Sequence, residues 1–327
     1  MPPRVALFGR KDDCQVLALA ESVREAGGDP CVLNIRISDQ GASEFSIGSV
    51  SMMWDGVDFQ DLRAVYIRGM EPNTPPSLPP ILNAAMHAEW RAWYVREQQY
   101  QAASYGFFAA LVAQGKLVVN PLSAYAHHNS KAQFYERMRA AGFYFPETLT
   151  TSDPEEARRF LAHRGKVVVK PGIGVGSTRL LRESEKKFLD EVALCPVTLQ
   201  EYVQGDTFRV HVVGDKVVLA LKIVSEEIDS RTDAKAFTYA RLQDEEAAQL
   251  ARATQSLGLH FAAWDIIKTA SGRHVYLDCN PGPFLMWVGP DNVRAIYGRL
   301  AKYLVTFANT ESLVDASAQV TEYVPVV

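Results

Sequence analysis

The chain has 327 residues, enough for about two domains with a large buried core. Apolar residues make up 47% and charged residues 22%, close to the usual soluble globular balance, which excludes disordered, collagen-like and low-complexity chains. A net charge of −4 leaves no basic footprint for nucleic acid. The longest purely apolar run, FFAALVA (107–113), is far short of the ~20 residues of a spanning helix. The start MPPRVALFGRKDD lacks an apolar signal core, because Lys11, Asp12 and Asp13 interrupt it. Cys14, Cys31, Cys195 and Cys279 fit neither a CxxC pair nor a zinc spacing, so reduced core thiols are expected. These features describe a soluble cytoplasmic protein with no membrane and no nucleic-acid partner.

RVALFG (4–9) reads as a buried strand, and CQVLALAESVREAGG (14–28) as a helix stopped at Gly27-Gly28. PCVLNI (30–35) and LRAVYIRG (62–69) are further strands, so the chain begins as a parallel, doubly wound α/β sheet. The proline-rich stretch at 71–80 must be a loop. Residues 81–115 have helical composition, and KLVVNP (116–121) returns to strand and closes the first domain. Asn129 or Ser130 can cap a helix over 131–142, and Ser152 or Asp153 a short one over 154–162. Beyond them lie β-rich runs separated by glycine turns, and a polar tail that reads as loosely held.

KVVVKPGIGVGSTRLL (166–181) is the first chemical signal. A β-branched strand ends at Lys170, and Gly172, Gly174 and Gly176 punctuate the loop that follows. Glycine lets backbone amides approach phosphate oxygens, and the lysine adds a cation. The pattern is neither GxxxxGK[ST] nor a GxGxxG that opens a helix. A glycine hairpin lying over a nucleotide remains, with an ordinary glycine-rich turn as its alternative.

Two hairpins aim charge at one place. In EYVQGDTFRVHVVGDKVVLALKIV (201–224), a two-residue turn at Gly214-Asp215 pairs Val213 with Lys216. That register puts Arg209 opposite Ala220 and Lys222 opposite Thr207. Arg209 and Lys222 become diagonal cations on one face, facing a polyanion such as a triphosphate. In FAAWDIIKTASGRHVYLDCNPGPF (261–284), a turn at Ser271-Gly272 puts Asp265 opposite Asp278, with Asn280 on the same face. Opposed carboxylates repel and need a countercharge, for which a hard cation such as Mg²⁺ is suited. The alternative is a register shifted by one, with the acids pointing apart. Adjacent His127 and His128 read as structural, and Trp54, Trp90, Trp93, Trp264 and Trp287 as core or wall.

In sequence order, Lys131, VVVKPGIGVGST, LQEYVQGDTFRVHVVGDKVVLALKI and AAWDIIKTASGRHVYLDCNPGP resemble the ATP-grasp superfamily of carboxylate–amine ligases over residues 116–285. The chain is most similar to the branch of ribosomal-protein glutamate ligases and graspetide peptide ligases. The resemblance implies an α/β, ATP-grasp fold: an N-terminal doubly wound domain (1–121) and two α+β subdomains clasping the nucleotide, a lid (122–198) and a metal-bearing subdomain (199–310), before a tail (311–327). It implies that Lys131 and Lys170 contact the α- and β-phosphates, and that Gly172 to Thr178, including Ser177, form the flap. Gln200, Glu201, Tyr202 and Val203 would form the adenine linker, with Glu201 as side-chain acceptor and Asp206 near ribose. Arg209, helped by Lys222, would steady the transferring phosphoryl group, and Asp265, Asp278 and Asn280 would hold Mg²⁺ or Mn²⁺. The family reaction joins the carboxylate of an amino acid, peptide or protein to an amine through an acyl phosphate made from ATP. Such ligases are often homo-oligomers. Arg68, at a strand end, is a candidate for the substrate carboxylate. A small-molecule kinase and a non-catalytic ATP-binding regulator are the other readings of the same scaffold.

Overall fold

The computed structural model describes residues 1–35, 44–48, 51–68, 84–170, 178–225 and 236–323. The chain divides into two units: Met1–Leu122 with Phe284–Gln319, and Ser123–Pro283 with Val320–Val327.

The first unit begins β1 (Arg4–Gly9), α1 (Cys14–Glu25) and β2 (Asp29–Asn34). Short strands β3 (Phe45–Ile47), β4 (Met52–Trp54) and β5 (Val57–Asp58) follow, then β6 (Ala64–Ile67), α2 (Ala84–Ala113) and β7 (Leu117–Val119). The main sheet has the order β2-β1-β6-β7, with every pair parallel, as the opening βαβ pattern predicts. Asp13 caps α1 by accepting from the Gln15 N–H at 2.7 Å. The core is aromatic. Phe8, Trp54, Phe59, Phe107 and Phe108 are each at most 1% exposed, and Phe8 meets Trp54 and Phe108 edge-on at 5.0 and 4.9 Å. Beneath β6, buried Lys116 donates to the carbonyls of Phe59, Gln60 and Leu62 at 2.7, 3.0 and 2.7 Å. The proline-rich loop at 71–80 lies outside the described residues.

The second unit contains α3 (Leu122–Asn129), α4 (Lys131–Ala140), β8 (Thr148–Thr151), α5 (Pro154–Arg164), β9 (Val167–Lys170), β10 (Arg179–Leu180) and β11 (Val197–Glu201). Ser130 caps α4 and Asp153 caps α5. The strands form an antiparallel sheet, β10-β9-β11-β8, closed over Ala157, Val167, Val169, Leu189 and Leu199. Then come β12 (Asp206–Val213), β13 (Lys216–Val224), β14 (Ala236–Ala240), α6 (Asp244–Ser256), β15 (Phe261–Lys268) and β16 (His274–Asn280). They build a five-stranded antiparallel sheet in the order β14-β13-β12-β15-β16. One face carries Val210, Ala220, Trp264, Ile266, Tyr276 and Cys279 and packs on α4 and α6. The sequence reading missed α6, although Asp244, Glu245 and Glu246 in its first turn and a Gln243/Glu246 capping box mark it.

Three expectations change. Helix α7 (Pro290–Thr310) belongs to the first unit rather than to the subdomain ending at 310, because it packs on α1, β1 and β6 and buries Ile296, Leu300 and Leu304 there. The tail is held as far as Tyr323: α8 (Leu313–Ala318) follows, Val320 is buried, and the Tyr323 N–H donates to the Val218 carbonyl at 2.8 Å. All four cysteines are free, but only Cys279 is a core thiol, whereas Cys14 and Cys195 are exposed. Among the described residues no helix is long and apolar enough to cross a membrane.

Candidate active site

The site lies on the sheet face opposite the α4–α6 core. Arg209 on β12 stands beside Asp265 on β15, and Asp265 beside Asp278 on β16, so the three form one row across neighbouring strands. Asn280 pairs with Ala263 in the next row, and its Oδ1 accepts from the Gly282 N–H at 3.1 Å. The acids oppose each other as predicted, by a different route. Lys268 pairs with His274, so the connection runs from Thr269 to Arg273 and the ladder starts one residue out of step. A bulge at Leu277, which has no partner in the ladder, brings Asp265 back opposite Asp278.

Each carboxylate of the row is matched by a cation. Arg209 Nη1 reaches both oxygens of Asp265, at 2.8 and 2.7 Å. Lys131 Nζ, at the first turn of α4, reaches Asp278 Oδ1 at 2.6 Å. Lys170 ends β9 and is buried; its Nζ donates to the bulged Leu277 carbonyl at 2.9 Å and to the Tyr135 hydroxyl at 3.1 Å. Burial acts to raise the Asp278 pKa, but Lys131 and Lys170 outweigh it and the carboxyl is lowered. Burial acts to lower Lys170, but Tyr135 and Asp278 outweigh it and the ammonium is raised. Both groups are therefore charged at neutral pH. His128, on α3, is lowered by burial although Asp278 acts in the other direction. His211, one row along from Arg209, is fully buried and pushed down to about 3 by burial and by Arg209.

The first hairpin turns as expected, with Val213 opposite Lys216 and Gly214 at φ +59°. A bulge at Val218 then shifts the register: Arg209 faces Leu221, and Lys222 faces Phe208. Lys222 therefore leaves the Arg209 face, against expectation. It pairs with Asp206 at 2.7 Å on the other face, which also takes Asp206 away from the carboxylate row. The linker residues divide. Gln200 turns inward and donates to Tyr135 Oη at 2.7 Å and Thr148 Oγ1 at 2.8 Å. Glu201 turns outward, where its carboxylate accepts from the Glu147 N–H at 3.1 Å and pairs with Arg164. The N–H groups of Glu201 and Tyr202 donate to the carbonyls of Glu147 and Lys166, and Val203 follows the end of β11. Gly172, Gly174, Gly176 and Ser177 lie outside the described residues, and Thr178 directly precedes β10. Arg68 belongs to the first unit, at the end of β6, with Asp13 Oδ2 3.5 Å from its Nε. Sequence reasoning missed Tyr135; its signal was the four-residue spacing from Lys131, which puts both on one helix face.

Among the described residues no group of three or more His, Cys, Asp or Glu side chains forms a metal cage. Asp265, Asp278 and Asn280 instead offer two carboxylates and an amide oxygen on one face of neighbouring strands. That hard-oxygen set fits Mg²⁺, which takes one or two carboxylates and completes its shell with water and phosphate.

Residues 128–257 match the model of the ATP-grasp domain. A probable alpha-L-glutamate ligase of Pseudoalteromonas translucida is 25% identical over 211 residues, covering 60% of this chain and 70% of that protein. The ATP-grasp ligase PsnB, solved with a minimal precursor, Mg and ADP, is 27% identical, with a TM-score of 0.77 over 93% of this chain and 98% of its own. The macrocyclase MdnC of Microcystis aeruginosa, bound with its precursor peptide MdnA, is 19% identical and shares the fold, with a TM-score of 0.73 over 92% of this chain and 99% of its own. The chain thus carries an ATP-grasp domain and has the ATP-grasp fold.

Proposed function

We propose that this ATP-grasp chain is an ATP-dependent ligase that joins a peptide carboxylate to an amine through an acyl phosphate. The observation that carries this reading is the convergence of Lys131, Lys170 and Arg209 with Asp265, Asp278 and Asn280 on one sheet face. The relatives support it: one is named a glutamate ligase, and PsnB is a ligase solved with precursor, Mg and ADP.

Phosphoryl transfer asks a protein for positioning and charge neutralisation rather than for a covalent partner. A carboxylate oxygen attacks the γ-phosphorus, the bond to the β–γ bridging oxygen breaks, and ADP leaves. The amine then attacks the acyl carbon, the carbon–oxygen bond to phosphate breaks, and the amine gives up a proton. Here Lys131 and Arg209 hold Asp278 and Asp265. With nucleotide present these cations would turn to phosphate oxygens, and the freed Asp265 and Asp278 with Asn280 would hold Mg²⁺ or Mn²⁺, which would supply charge neutralisation on the phosphates. The exchange leaves neither carboxylate unpaired: each is matched by a side-chain cation before binding and would be matched by the metal after it. Arg209, alone of the cations on the carboxylate row, steadies the group in transfer; Lys222 has no part in it.

The substrate is a peptide on this reading. Arg68 takes one of its carboxylates, because β1 and β6 meet where the strand order reverses, the crevice in which open α/β sheets bind ligands. Dependence on ATP and the free cysteines fit a cytoplasmic setting. The test is to incubate the chain with Mg-ATP and a panel of amino acids, dipeptides and leader-bearing peptides, reading ADP release and product mass. Ligation gives ADP with loss of one water from the joined product. ADP with a stable phosphorylated product makes the protein a kinase, and absence of turnover across the panel rejects the ligase reading.

A further inference from the structure

The hydroxyl of Tyr135 is where four elements meet. It donates to the Leu277 carbonyl at the β16 bulge (3.0 Å) and accepts from Gln200 Nε2 on β11 (2.7 Å) and from Lys170 Nζ on β9 (3.1 Å). A phenol has one proton and two lone pairs, so these bonds use its whole capacity. The ring is held as well. Tyr135 is 3% exposed, stacks on Phe145 at 5.1 Å and meets Phe134 edge-on at 5.0 Å. Gln200 spends its other amide proton on Thr148 Oγ1 at 2.8 Å, which fixes the amide that fixes the phenol.

The consequence falls on Lys170. An ammonium has three protons to donate. Two go to Tyr135 Oη and the Leu277 carbonyl, both neutral acceptors that leave the positive charge uncancelled. A lysine side chain carries about 2 kcal/mol of rotamer entropy, which an unheld lysine loses when it meets a ligand. Here most of that freedom is gone in the folded protein. Lys131, one turn before Tyr135 on α4, has a carboxylate partner that it must give up; among the described residues Lys170 has none.

We infer that Tyr135, held by Gln200, is a positioning residue that fixes the Lys170 ammonium so that its remaining N–H meets a nucleotide phosphate. This rests on the reading above that Lys170 contacts the nucleotide. Tyr135 itself touches neither nucleotide nor substrate. Its effect therefore depends on the phosphates and not on the adenosine.

Tyr135→Phe tests it, because the ring and its stacking stay while the hydroxyl goes. Binding of Mg-ADP and of adenosine is measured by calorimetry or competition on the full chain, with KM for ATP and kcat alongside. Loss of one hydrogen bond to a charged group predicts ADP affinity about tenfold weaker, KM for ATP raised in step, and kcat and adenosine affinity within about twofold of wild type. Gln200→Met, which leaves the phenol without its anchor, shifts ADP affinity in the same direction by less, and adds little to Tyr135→Phe because both act through one oxygen. Equal weakening of ADP and adenosine makes Tyr135 a structural residue and overturns the inference. Unchanged ADP affinity in a wild type that binds ADP overturns it too. A wild type that binds no ADP removes the nucleotide reading and this inference together.

Discussion

The Lys131–Asp278 pair offers an asymmetric test of the site's electrostatics. The side chain of Lys131 is 5% exposed and that of Asp278 30%, so the two members do not tolerate loss of their partner equally. Asp278→Ala strands an ammonium that water cannot reach, and breaking a buried pair in this way costs about 3–5 kcal/mol. Lys131→Met leaves a carboxylate that keeps a solvated side and still feels Lys170, so the loss is nearer 1 kcal/mol. The double variant, with both charges gone, recovers most of what Asp278→Ala loses. Urea denaturation at neutral pH of the four proteins gives the cycle, and Mg-ATP turnover on the same samples should be abolished wherever Asp278 is missing. A Lys131→Met protein destabilised as much as Asp278→Ala would refute the argument from burial. So would a double variant no more stable than Asp278→Ala.

Two further outcomes follow from buried groups away from that pair. An unfolded chain protonates His211 near 6.5, whereas the folded chain holds it down to about 3. The stability it contributes is complete above the unfolded value and is lost as pH falls toward the folded one, by about 3 kcal/mol at pH 4. His211→Leu should flatten the stability profile between pH 7 and 4 by that amount, and profiles running parallel to wild type would contradict the assignment. Lys116→Met leaves the carbonyls of Phe59, Gln60 and Leu62 without their shared donor and should cost about 2 kcal/mol, read as a lowered Tm, while nucleotide affinity stays unchanged.

The elements were legible in the sequence wherever local chemistry determines them. Alternating apolar residues gave the strands, and Ser130 and Asp153 marked helix starts by the side-chain oxygen each offers to a free N–H. Lys170 stood out beside the glycine loop and Arg209, Asp265 and Asp278 from the two hairpins, whereas Lys131 entered only through the family resemblance; the structure brings the five together. Register was legible only in part. In the second hairpin the turn is longer than expected and the Leu277 bulge makes up the difference, so the two departures cancel at Asp265 and Asp278. In the first, the turn is as expected and the Val218 bulge is uncompensated, so Lys222 lands on the wrong face. The long helix α7 was missed for a related reason: its apolar stripe is read only by a sheet nearly the whole chain away in sequence.

Neither bulge has a local signature, since Val218 and Leu277 are ordinary apolar strand residues. What each does have is a remote partner for its carbonyl: the Tyr323 N–H for Val218, and Lys170 with Tyr135 for Leu277. A ladder in perfect register would use such a carbonyl within the sheet, whereas a bulge releases one group for a neighbour to claim. At Leu277 that released oxygen is what a buried lysine from the other sheet binds. The same irregularity sets Asp265 against Asp278 and anchors Lys170 beside them. The carboxylates and the buried ammonium are therefore placed by one backbone event, and a change that straightened β16 would displace both at once.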